Sequence, residues 1–277
     1  MKTTHTDNLS LDDALFRLQP NQAPNRSDMA SVNNCASEGW DLNTPFDRAV
    51  YLATHGWQER VEEVEACMRL VQQLVSDSWG ASHDVAGDAV DVGAFLDGTP
   101  ECMISFHTPK RQSVNMVVSI SASASADAPR LFNRGIAIAA AVYALQCAGT
   151  PVSLRVFESC TSGGERFNTS IEVNPFGNYL DPARLAFWLS HPAALRRCFF
   201  RYQEQAPTKI RETFGFHCGG GYGKPADPPK DSEEIRDSVY VPFPTTESLS
   251  LYQTPHKAFE TIAAILAERG VSIHRRG

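Results

Sequence analysis

Between Arg196 and Lys224 six cations alternate with six aromatic rings: Arg196, Arg197, Arg201, Lys209, Arg211 and Lys224 with Phe199, Phe200, Tyr202, Phe214, Phe216 and Tyr222. Cations that meet phosphates and ring faces that stack on bases are what a single-stranded nucleic acid requires, each stack contributing roughly 1–3 kcal/mol. Gly219–Gly221 adds a loop able to close over a strand. The contacts expected of such a site are Arg196, Arg197, Arg201, Tyr202, Lys209, Arg211, Phe216, Tyr222 and Lys224. A competing reading places Phe199 and Phe200 inside a helix, packed in the core, with Arg196, Arg197 and Arg201 as its solvated face.

A second stretch with chemical content is the serine run Ser119, Ser121, Ser123 and Ser125, separated by Ile120, Ala122 and Ala124. It follows the β-branched run Val114–Ile120, read as a strand covered on both faces. Open α/β sheets place ligands at the carboxyl ends of such strands. The run therefore suits a metal, phosphate or partner-binding loop, or a plain turn of small residues before a helix.

Other chemistries lack their residues. No G-x-S-x-G elbow, phosphate-binding G-x-x-x-x-G-K-S/T loop or G-x-G-x-x-G after a strand is present. Gly219–Lys224 (GGGYGK) follows aromatics and precedes prolines, so it is not a nucleotide loop. The histidines are scattered, and His191 at a proline-bounded junction reads as a capping or packing residue. Asp84, Asp88, Asp91 and Asp97 alternate with glycines, but their spacing does not match an EF-hand. The seven cysteines include no CxxC pair and read as reduced thiols. A non-enzymatic protein without a cofactor is the expectation.

These residues need a scaffold. The stretch from Val114 to Ser159 reads as strand, serine turn, long helix and second strand, a right-handed parallel βαβ unit. Pro129 opens the helix and Gly149 ends it. The glycine-bearing link Thr161–Glu165 predicts a hairpin to a strand over Thr169–Val173, antiparallel at the sheet edge. Helices are predicted over Asp181–Ser190, Pro192–Gln205 and Pro255–Arg269, with strands at Cys102–Phe106, Val239–Phe243 and Val271–His274. Helices Phe46–Thr54 and Gln58 to about Ser76 form a helical hairpin within residues 40–80. Residues 1–39, rich in Asn, Pro and Ser, read as a flexible N-terminal arm that docks on something or stays mobile, before a single domain, 40–277. The fold class is α/β: a mostly parallel central sheet, one antiparallel edge strand and helices on both faces.

A chain of 277 residues with a net charge of −7 is not a generally basic nucleic-acid binder, though a local patch remains open to it. No apolar run reaches the roughly 20 residues that span a bilayer. The N-terminus lacks a signal-peptide layout, and the expectation is a cytoplasmic protein away from membranes.

The order of strand with Ser-x-Ser-x-Ser, helix, strand, hairpin and later alternating helices resembles a von Willebrand factor A-like, Rossmann-like domain. In that family the strand ends in Asp-x-Ser-x-Ser, which holds a divalent cation. Ser121 and Ser123 fit, while Ser119 stands at the aspartate position, which implies a degenerate metal site. The segments PFDRAVYLATHGW, DVGAFLDGTPECM, NRGIAIAAAVYALQCAG and LDPARLAFWLSHPAALRR are similar to an uncharacterised group of phage- and plasmid-encoded proteins. The combined expectation is a phage or mobile-element protein that binds single-stranded nucleic acid, DNA before RNA. The alternative is a protein-interaction adaptor using the serine loop, and self-association is left open.

Overall fold

The computed structural model describes residues 3–19, 29–32, 41–74, 80–87, 89–107, 113–122, 126–178, 181–217 and 220–271. The chain opens with strand β1 (Thr4–Ser10) and helix α1 (Leu11–Leu18). Helices α2 (Phe46–His55) and α3 (Val61–Leu74) follow, joined through the 3-10 turn Gln58–Arg60. Next come β2 (Gly80–Asp84), β3 (Ala89–Val90), the short helix α4 (Val92–Leu96) and β4 (Met103–His107). The central unit is β5 (Val114–Ser119), α5 (Ala128–Cys147) and β6 (Val152–Ser162), continued by β7 (Glu165–Asn174). Helix α6 (Pro182–Ser190), a π-helical stretch Ala194–Phe199, α7 (Phe200–Glu204) and α8 (Thr208–Phe214) come next. The two-residue strand β8 (Lys224–Pro225), then β9 (Val239–Val241) and α9 (Pro255–Glu268), complete the order.

The main sheet runs β1-β7-β6-β5-β9, with β8 bridging to β6. Strands β5, β6 and β9 are mutually parallel, and β7 returns antiparallel to β6. Local signals account for the central unit. Asp127 accepts the Arg130 N–H at the start of α5, and Gly149 at φ 76° ends it. Gly163 and Gly164, at φ 56° and 89°, make the two-residue turn between β6 and β7, which side chains other than glycine seldom enter. Nearly every residue of α5 from Arg134 to Leu145 is buried, because its run of alanines lets the sheet, α3, α6 and α9 all approach. A methyl group at Gly135 would lie 2.0 Å from Ser190 Oγ, so α5 and α6 cross at backbone contact.

Strand alternation sorts the two faces. Met116, Val118, Leu154, Val156, Ile171, Val239 and Val241 point into one large apolar core. Buried side chains of α1, α2, α3, α5, α6, α7 and α9 join that same core. Val117, Phe157 and Tyr240 face the other way and are covered by Ile235, from an irregular stretch before β9. Helices on both faces were expected; among the described residues those packed against the sheet gather on one. The exposed Asn115 and half-buried Arg155, both on the opposite face, interrupt the continuous apolar run that two covered faces would need.

Two further expectations are corrected. Strand β7 is not an edge: β1 lies outside it, parallel, pairing from Thr4↔Arg166 to Ser10↔Glu172. Residues 4–18 are therefore docked and part of the domain, whose start was expected at residue 40. Leu9, Ala14 and Leu18 enter the core, and Arg17 pairs with Asp7 at 2.5 Å. A small antiparallel sheet, β2-β4-β3, stands apart from the main one. Only β4, its middle strand, was predicted, at Cys102–Phe106. The strand expected at Val271–His274 falls, beyond Val271, outside the described residues.

Candidate functional site

The basic and aromatic stretch is where expectation and structure part most clearly. Arg197 and Arg201 are buried, 3% and 1% exposed, as are Tyr202, Phe216 and Tyr222. Arg197 donates from Nε to the Thr44 carbonyl (3.0 Å) and from Nη1 to the Ser31 carbonyl (3.1 Å). Its Nη2 meets Asp41 Oδ2 at 2.6 Å, both side chains 4% exposed. Arg201 donates to the Gln19 carbonyl (3.4 Å), contacts Met29 Sδ and lies over the Phe46 ring at 5.7 Å. Tyr202 donates its hydroxyl to the Ala14 carbonyl at 3.2 Å. Tyr222 stacks on Phe200 with centroids 3.9 Å apart and donates to Glu204. Phe214 and Phe216 pack on Phe167 of β7.

These groups anchor the N-terminal third of the chain instead of presenting a surface. Ser31 is held at both ends: its N–H (2.9 Å) and hydroxyl (2.5 Å) donate to Glu204, and its carbonyl accepts from Arg197. Residues 29–32 and 41–44 lie outside the strands and helices, and buried arginines and a carboxylate satisfy part of their backbone. Of the nine predicted contacts, Lys209 and Lys224 are exposed, and Arg196 and Arg211 are half-buried. Burial beside Arg197 lowers the Arg196 guanidinium to about 10, with Asp41 opposing. The expected patch of rings and cations is thus replaced by a clamp, because the π-helical turn and α7 direct Arg197 and Arg201, four residues apart, inward together. The competing reading was right about Phe199, which is buried, and wrong about its solvated arginines.

The serine run is equally internal where it is described. Ser119 and Ser121 are each 1% exposed. Arg134 of α5 donates Nη2 to the carbonyls of Ser119 (2.9 Å), Val241 (3.3 Å) and Pro242 (2.9 Å), capping the carboxyl ends of β5 and β9 with a tethered cation. Ser121 Oγ accepts from the Ser159 N–H at 3.5 Å. Neither serine presents a free hydroxyl to solvent. Ser123 and Ser125 lie outside the described residues. Among the described residues no three His, Cys, Asp or Glu side chains converge as metal ligands. His191 does cap and pack: its Nδ1 accepts from the Ala193 N–H (3.1 Å), its ring sits 4.4 Å from Trp57, and burial depresses it to about 4.

Two carboxylates are held inside. Burial raises Glu158 on β6 to about 8, partly offset by Gln203, whose Nε2 donates to it at 2.6 Å. Burial also raises Glu204.

The accessible feature lies elsewhere, in residues 80–107. Val85, Val90, Val92, Phe95 and Leu96 are 66%, 49%, 64%, 62% and 76% exposed. Val92, Phe95 and Leu96 are spaced i, i+3, i+4 and so share one side of α4, a helix with no buried residue. Asp91 fixes that helix: Oδ1 accepts from the Ala94 N–H (3.1 Å), and Oδ2 meets His83 Nε2 on β2 at 2.9 Å. These hydrogen bonds hold the Asp91 carboxyl below its ordinary range. The segment contains Asp84, Asp88, Asp91, Asp97 and Glu101 and no lysine or arginine. Sequence reasoning saw these acids as a connection; the signal available was the apolar triplet of α4 beside them.

Fold and site together define an α/β protein with a mostly parallel sheet, an internal arginine–carboxylate clamp and an acidic, apolar projection. A family model described as a domain of unknown function (DUF7192) matches residues 5–271, from β1 to just past α9, and the chain belongs to that family. No curated protein and no solved structure matches it.

Proposed function

We propose that this chain is a non-enzymatic protein-interaction module that docks a basic, amphipathic segment of a partner on the projection formed by residues 80–107. The observation that carries the reading is the outward apolar stripe Val92, Phe95 and Leu96, in a segment, residues 80–107, whose sequence holds five carboxylates and no lysine or arginine. Soluble proteins seldom leave such side chains adjacent and uncovered without an interaction to serve. Covering Phe95 and Leu96 would stabilise a complex by about 1–2 kcal/mol each, and the acidic rim would speed encounter with a cationic partner.

The strand order β7-β6-β5-β9 around the β5-α5-β6 unit supports a von Willebrand A-like relationship. Ser119 at the aspartate position, β1 beyond β7 and helices on one face depart from that pattern. A single-stranded nucleic acid reading now rests on Arg196, Lys209, Arg211 and Lys224, without accessible rings among its named contacts.

The test is fluorescence anisotropy of the full chain with a labelled helical peptide of alternating lysine and leucine faces, and with its glutamate counterpart. The basic peptide binds, weakening as salt rises, and Phe95→Ser with Leu96→Ser lowers affinity roughly tenfold or more while leaving the melting temperature unchanged. Equal binding of both peptides, or an unaffected double variant, overturns the proposal. A salt-sensitive shift of a labelled oligonucleotide, lost on replacing Lys209 and Lys224, would favour the polynucleotide instead.

A further inference from the structure

The outer side of β1 is a second surface, independent of the projection. Among the described residues β1 ends the main sheet on that side and pairs only with β7. In a parallel ladder alternate residues of a strand carry the bonds to one neighbour, and the residues between them point to the other side. The Arg166 N–H donates to the Thr3 carbonyl at 3.0 Å, so Thr3, His5, Asp7 and Leu9 turn their backbone groups toward β7. The N–H and C=O groups of Thr4, Thr6 and Asn8 therefore point away from the sheet, and all three residues are exposed. A groove of about 560 Å³ is lined by His5, Thr6 and Asp7 together with Pro207 and Ile210, among others. Consecutive residues, whose side chains alternate faces, line it together, so it follows the edge of the strand.

Sheet edges of soluble proteins are ordinarily guarded by lysine, proline or a bulge. The sequence of β1, THTDNLS, holds no lysine or proline, and its register with β7 is unbroken. Its guard is a charge on the core face, Asp7, which disfavours any added strand that sets no cation opposite it. A second β1 supplies one. Two antiparallel copies related by a two-fold axis at Thr6 set Thr6 opposite Thr6, Thr4 opposite Asn8 and His5 opposite Asp7. The outward-pointing Thr4, Thr6 and Asn8 then form the hydrogen-bonded pairs. His5 and Asp7 form the closer pairs between them, with Cα atoms about 4.5 Å apart. An axis at Asp7 would oppose two carboxylates, one at His5 two imidazoles, and one at Asn8 would set Asp7 against Leu9. Existing contacts survive the match. His5 meets Glu165 through Nε2 at 3.1 Å, which leaves Nδ1 for the carboxylate opposite, and Asp7 retains Arg17 while accepting from it.

We propose that a second copy of this chain docks along β1, antiparallel and centred on Thr6, so that the main sheet continues through both copies. The contact is self-complementary and closes as a dimer.

The experiment uses the full chain. Sedimentation gives a mass of two chains that falls reversibly toward one on dilution. Thr6→Pro removes the outward N–H at the axis and leaves the bonds to β7 in place, and it raises the dimer dissociation constant roughly tenfold or more. Register is read by cross-linking. Bonded antiparallel pairs hold their Cα atoms about 5.5 Å apart, within the span of a disulfide. Mild oxidation therefore joins two copies of Thr6→Cys, whereas Thr4→Cys, which faces Asn8, cross-links no more than the unmodified chain. A mass of one chain at every concentration up to about 100 µM overturns the proposal. So does equal cross-linking of the two cysteine variants. A dimer abolished by Phe95→Ser with Leu96→Ser would assign the association to the projection and overturn it as well. Should Thr6→Pro fail to fold, the cysteine variants decide the question alone.

Discussion

Replacing Arg197 with methionine separates an internal clamp from a solvated basic face. Methionine preserves much of the side-chain volume and removes the charge. The Asp41 carboxylate would then be left buried without its partner, and the Thr44 and Ser31 carbonyls would lose their donors. Breaking a buried pair from one side typically costs 3–5 kcal/mol, and about 4 kcal/mol is expected here, a large share of the usual 5–15 kcal/mol. With a urea dependence of about 2.5 kcal/mol per molar, the unfolding midpoint falls by about 1.5 M. Asp41→Leu added to Arg197→Met removes both charges and recovers part of the loss, whereas Lys209→Ala at the surface stays within about 0.5 kcal/mol. A loss below about 1 kcal/mol for Arg197→Met, the size of an exposed ion pair, would refute the clamp and return Arg197 to the solvated face.

Other outcomes follow from the same core. Glu158 is raised by burial from 4.5 to about 8, so between those values the folded state holds a proton that the unfolded chain has released. Its contribution is fully present below the unfolded value and is lost as pH rises through about 8. Urea unfolding at pH 5 and pH 8 should show Glu158→Gln gaining stability relative to the parent at the higher pH; a constant difference between the two would contradict the burial. Removing residues 1–10 should destabilise the chain and promote aggregation, because it strips β1 from β7 and exposes a seven-residue strand edge. Size-exclusion chromatography and urea unfolding read both effects, and an equally stable truncation without aggregates would restore the picture of a detachable arm.

Much of the architecture was legible because its signals are local. The strand, helix and strand around α5 are marked by β-branched runs, Asp127, Pro129 and Gly149, all within a few residues of what they specify. The hairpin at Gly163-Gly164 and the caps of α9, Thr254 before Pro255 and Gly270 after, are of the same kind. The candidate site was less legible. Interleaved cations and rings are compatible with a binding surface or with an interior, and periodicity alone cannot tell which.

The pairing of β1 with β7 joins residues about 160 positions apart, and no local pattern announces it. Whether Arg197 and Arg201 meet solvent depends on distant, irregular segments whose backbone needs donors, at Ser31, Thr44 and Gln19. The amino-acid order therefore specified the elements and the turns between the central strands, since hydrophobic period, caps and glycines act over one or two turns. Only the assembled structure decided which face the helices cover, which charges are buried and which apolar side chains remain outside, because burial is a property of what the rest of the chain brings to each position.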